Sequence, residues 1–92
     1  MVGMMAVSKA GHDKLEVYVI VKEDNEYVYL CDGRLKKLAN PKKKSKKHIQ
    51  IIKHYVSEEL LNKLTSGVKI YDEEIKLAIK VWNCKNKEEY NV

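Results

Sequence analysis

Seven lysines and one arginine crowd into Arg34-Leu35-Lys36-Lys37-Leu38-Ala39-Asn40-Pro41-Lys42-Lys43-Lys44-Ser45-Lys46-Lys47-His48, and no acid follows Asp32 to neutralise them. An ammonium group binds phosphate as a point charge and reads little base identity, so this segment is suited to affinity for a polyanion. Arg34 adds a planar fork for phosphate, and His48 and His54 add rings that can stack or hydrogen-bond. Like charges at this density repel one another until a polyanion neutralises them, although a charge run by itself is also what a solvated loop looks like.

The chain carries +5 overall, but the distribution is what matters. Residues 1–33 hold three lysines and six carboxylates, net −3; residues 34–53 hold one arginine, eight lysines and no acid, net +9; residues 54–92 hold six lysines and seven carboxylates, net −1. The whole excess therefore lies in one segment, as on a surface that binds nucleic acid.

Other chemistry finds little support. His12, His48 and His54 are scattered, with no cysteine or acid at ligand spacing, so neither a metal nor any other cofactor is expected. Asp13 beside His12 lacks an accompanying nucleophile, and no glycine-rich phosphate loop occurs, so an enzyme is not expected and no small-molecule substrate is implied. Cys31 and Cys84 form no close pair and read as reduced thiols. No apolar run reaches membrane-spanning length, and Met1–Val7 lacks the basic and apolar regions of a signal peptide, which predicts a soluble cytoplasmic protein with no membrane partner.

The elements that must position these cations follow from hydrophobic period. Met4–Val7, Glu16–Val21 and Tyr27–Cys31 are short runs rich in β-branched and aromatic residues, each bounded by polar or glycine-containing turns. Asp32-Gly33 suggests a type I′ turn leading to a short charged strand over Arg34–Leu38, with Leu35 pointing inward, ended at Asn40-Pro41. The lysine run then reads as a proline-stiffened loop that returns to a last strand at His48–Ile52. Five short strands with short turns bury an apolar face most readily by curling into a small barrel.

The period then changes. Ser57 can cap a helix that ends before Gly67, and a second helix is expected to start near Asp72 with Ile75, Ala78, Ile79 and Trp82 on one face. The expected organisation is a barrel over residues 1–55, a two-helix appendage over 56–83 and a flexible tail over 84–92. The fold class is thus α+β.

The segment Met5-Ala6-Val7-Ser8-Lys9-Ala10-Gly11-His12-Asp13-Lys14, with the strand after it, resembles the KOW motif of ribosomal proteins and transcription elongation factors. Asp32-Gly33-Arg34, Pro41-Lys42-Lys43-Lys44 and Lys46-Lys47-His48 resemble small bacterial KOW-domain RNA-binding proteins similar to a eukaryotic-type large-subunit ribosomal protein. The likeness extends over roughly residues 4–80. It implies an SH3-like barrel, a place in the translation machinery on the ribosome, and RNA, above all ribosomal RNA, as partner, with ribosomal proteins nearby. The RNA-binding residues it implies are Lys9 and Lys14 from the motif's turn, and Arg34 with the lysine run downstream. Leu15 stands where the motif normally holds glycine, which implies a different turn geometry.

From residues and resemblance together, the expected RNA-binding set is Lys9, Lys14, Arg34, Lys36, Lys37, Lys42, Lys43, Lys44, Lys46, Lys47 and His48. The alternatives are a protein-interaction module of the transcription or translation machinery, or a non-specific DNA-binding protein.

Overall fold

Short runs dense in valine, isoleucine and tyrosine favour extended backbone, and in the computed structural model they form a sheet. Residues 1–8 and 16–90 are described, with the backbone alone at 53–55 and 85–90. Strands β1 (Met4–Ser8), β2 (Val17–Glu23), β3 (Tyr27–Cys31), β4 (Lys42–Ser45) and β5 (Ile49–Tyr55) pair antiparallel in the order β4-β3-β2-β1-β5. A 3₁₀ turn over Lys46–His48 joins β4 to β5. Helices α1 (Glu58–Ser66) and α2 (Asp72–Tyr90) follow. The sheet is a curled half-barrel, so the molecule is an α+β protein with a small SH3-like barrel and two C-terminal helices.

Alternation along the strands gives the sheet two buried faces. Ala6, Tyr18, Ile20, Val28, Leu30 and Ile49 cluster on one face with no helical residue among them, so the sheet must curl towards that side to bury them. Met5, Val19 and Cys31 on the other face pack with Val56, Leu60 and Ile75, which places α1 and α2 over it. The register aligns this second face: Val19 stands opposite Met5 on one neighbour and Cys31 on the other. Between Ile20 and Lys22 the β2–β3 register shifts by a bulge, a feature that sharpens local bend and twist.

The helices start and stop for local reasons. The Ser57 side chain accepts from the Leu60 N–H, and Gly67 closes α1 in the left-handed conformation. Glu74 accepts from the Tyr71 N–H at 2.9 Å and from the Lys63 ammonium at 2.7 Å, so one carboxylate caps α2 and ties it to α1. That pairing holds Glu74 below the usual carboxylate range and Lys63 above the usual lysine range.

Three expectations change. Arg34–Leu38 is not a strand. The Asp32 carboxylate accepts from the Arg34 and Lys36 N–H groups at 2.8 and 2.9 Å, and the Lys36 carbonyl accepts from Asp32 and Gly33, so donors that a ladder would need are used within the loop. Leu35 accordingly points out, 81% exposed, rather than inward. The lysine run, expected as a loop, is itself the fourth strand: Pro41 precedes β4 rather than ending a strand, and Leu30 faces Lys42. Finally, α2 continues to Tyr90, through the stretch where the sequence suggests a flexible tail.

Burial also governs two titrations. Desolvation, reinforced by the carboxylates of Asp72 and Asp32, pushes the Cys31 thiol up to about 12. Desolvation and the hydrogen bond to Glu16 push the Tyr18 hydroxyl up to about 12. Both groups stay neutral in the folded chain after they would ionise in the unfolded one, so their contribution is complete below about pH 9 and is lost as pH rises towards 12. We expect Tm to fall over that interval and Cys31→Val to flatten the fall. In the native protein a thiol reagent should label exposed Cys84 and not buried Cys31.

Candidate nucleic-acid interface

The cations gather along one edge of the sheet. Edge strand β4 contributes Lys42, Lys43 and Lys44 in succession, and alternation sends them to two faces. Lys42 and Lys44 stand opposite Leu30 and Val28 and so share the side of the buried cluster within the curl. Lys42 lies half-buried with its ammonium 6.0 Å from the Tyr18 ring. Its pKa is lowered, first by desolvation and then by the charge of Lys44. An anion placed at this rim would favour the charged ammonium and so oppose both effects.

Lys43 points to the opposite face and is exposed there. Its ammonium sits over the Tyr27 ring, 4.3 Å from the centroid. At one end of β4, Lys47 and His48 project from the 3₁₀ turn, whose Lys47 N–H is capped by the Ser45 hydroxyl at 3.3 Å. Lys46 is engaged otherwise: its ammonium meets the Glu23 carboxylate at 2.8 Å and its N–H donates to the Glu26 carbonyl. Glu23 also accepts from the Met1 amino group at 2.9 Å, and hydrogen bonds from these two cations, Lys46 first, lower its pKa.

At the other end of β4 the 32–38 loop presents exposed Arg34 and Lys37 and half-buried Lys36. This loop is clipped to α2 by the Leu38 N–H, which donates to the Asp72 carboxylate at 2.8 Å. An open cavity of about 750 Å³ lies between loop and helix, and in it Arg34 is joined by Lys76 and Lys80 of α2, with Glu16 and Asp32 opposing them. No local pattern in the sequence marks Lys76 and Lys80, because their partner lies some forty residues upstream on a loop that only the fold brings near.

The expected set thus divides. Lys42, Lys43, Lys44, Lys47 and His48 share the β4 edge and its continuation, Arg34, Lys36 and Lys37 lie at its α2 end, and Lys46 is held in an ion pair. Lys9 and Lys14, with the rest of the motif's turn, lie outside the described residues, as do the side chains of Lys53 and His54. Two tyrosines missed by the sequence reading belong beside the lysines: Tyr27 and Tyr29 alternate with buried Val28 and Leu30 and so face outward. Their Tyr-Val-Tyr-Leu alternation is the signal that would have found them.

Comparisons with protein-family models and with curated proteins give no match. Among the described residues no group of three histidine, cysteine or acidic side chains could hold a metal ion, and no helix is long and apolar enough to cross a membrane. Edge lysines also hinder pairing with the edge of another sheet, whatever ligand they bind.

Proposed function

We propose that this protein binds RNA through the β4 edge, with structured RNA of the translation machinery, above all ribosomal RNA, as its target. The observation that carries this reading is the successive placement of Lys42, Lys43 and Lys44 on one edge strand of the sheet, Lys43 exposed and its neighbours half-buried, extended by Lys47 at one end and Arg34 and Lys37 at the other. Affinity comes from phosphate contacts and release of counterions, and orientation comes from the fixed spacing of cations on a strand rather than on a free loop. The resemblance of Met5–Lys14 and the Pro-Lys-Lys-Lys segment to KOW-domain proteins supports RNA over the other polyanions.

About six phosphate contacts from Arg34, Lys37, Lys42, Lys43, Lys44 and Lys47 give a slope of about −4 to −5 for log K against log salt. Titrating a structured ribosomal RNA fragment across a salt series measures that slope. A flat dependence removes the proposal, and preference for duplex DNA in direct competition would reassign the ligand.

A further inference from the structure

The outward face of β2, β3 and β4 carries a row of side chains that phosphate binding alone leaves unexplained. Across the register, Tyr29 stands between Lys22 on β2 and Lys43 on β4, and directly opposed residues share a face. Tyr27 lies two residues from Tyr29 on the same strand, about 7 Å along it at the ordinary strand rise. The four side chains therefore form one patch, two rings flanked by two cations. The helices pack on the Cys31 end of this face, whereas Tyr27 at the other end is 38% exposed and Tyr29 between them is half-buried.

Each ring has a lysine ammonium over it. The Lys22 ammonium lies 5.1 Å from the Tyr29 centroid and the Lys43 ammonium 4.3 Å from that of Tyr27. Such contacts at exposed sites are weak, and the lysine stems are flexible enough to give up the ring. The Tyr29 hydroxyl donates to the Asp24 carboxylate at 2.9 Å, which fixes the ring's orientation before any ligand arrives.

We propose that Tyr27 and Tyr29 form a stacking platform for two unpaired nucleotides, with Lys22 and Lys43 moving from the rings onto the adjoining phosphates. Stacking on tyrosine requires a base free of its own stack, so the platform selects single-stranded loops or bulges over continuous duplex. The acids Asp24 and Glu26 at the β2–β3 turn repel phosphate, which directs the backbone towards Lys43 and the β4 edge. The inference rests on the RNA-binding reading and adds to it the conformation of the RNA that is bound.

The test compares a single-stranded RNA of about eight nucleotides, within the site size of such surfaces, with a blunt duplex of the same sequence, at equal salt and with the full chain. The wild-type protein should bind the single strand more tightly. Tyr27→Ala should weaken single-strand binding by about 5- to 100-fold and leave duplex binding unchanged, whereas Tyr27→Phe, which keeps the ring, should bind as the wild type does. Tyr29→Phe, which releases the ring from Asp24 but keeps its face, should retain single-strand preference. Equal weakening of both ligands by Tyr27→Ala, or no weakening, overturns the platform while RNA binding stands. Absence of wild-type binding to either RNA overturns the RNA reading and the platform with it.

Discussion

Replacing Gly33 with alanine should destabilise the protein by about 2–4 kcal/mol, a large share of the stability of a small domain. Gly33 has φ of 78°, where a Cβ is strained, and it is buried beneath the first turn of α2. A Cβ there would run into the Asp72 carbonyl oxygen, with the Lys76 Cγ 2.8 Å and the Lys76 amide nitrogen 3.0 Å away. Backbone cannot swing aside as a side-chain end can, so either the loop or α2 must lift. Gly67 supplies the control: its φ is 75°, but nothing lies within 4 Å of its would-be Cβ, so Gly67→Ala carries the conformational strain of about 1 kcal/mol without the collision. Urea denaturation midpoints of the two variants separate strain from contact. Equal losses would mean that α2 yields freely at Asp72.

The second large effect concerns the ligand. Lys42→Ala, Lys43→Ala and Lys44→Ala combined should reduce affinity for structured RNA by about 100-fold at 0.1 M salt and make the salt slope shallower by about 2 to 3. The fold should survive, because β4 pairs with β3 through backbone groups and the three side chains place their charges at the rim or outside. If the lysines act only to keep the edge from pairing, the triple variant would instead self-associate with its RNA affinity unchanged, which light scattering and a binding titration distinguish. Filter binding across salt and circular dichroism before and after substitution complete the measurement.

How far the sequence specifies these features depends on whether local rules decide them. Tyr27–Cys31 has the bounds expected from its composition, and α1 starts after Ser57 and stops at Gly67 because cap residues act within a turn. Lys42–Ser45 is different: nothing in Lys-Lys-Lys-Ser favours a strand, and it becomes one because β3 has an edge to fill and a ten-residue loop returns the chain to it. The Arg34–Leu38 error has a specific cause, since Asp32 can take backbone donors into its own side chain, and that competition is invisible to alternation of apolar and polar residues. The tyrosine patch shows the same limit. Tyr27 and Tyr29 are legible as outward-facing, but Lys22 joins them only because the bulge after Ile20 shifts the register by one, and a one-residue slip sends a side chain to the other face.

The place of β1 between β2 and β5 sets an order of assembly. Met5 takes Val19 as one neighbour and Ile52 as the other, so the strand has its second partner only after β5 has been made. The β2–β3 hairpin can close across three residues, whereas β1–β5 pairing must close a loop of most of the barrel, the slower kind of event. On the ribosome, where the N-terminal part emerges first, a nascent chain that ends before Ile49 holds β1 as an open edge next to the uncovered Ala6 and Tyr18 face. The interval between synthesis of β3 and of β5 is therefore when this small protein is most exposed to mispairing, and the lysine strand emerges within that interval, adding its charge while the edge is still bare.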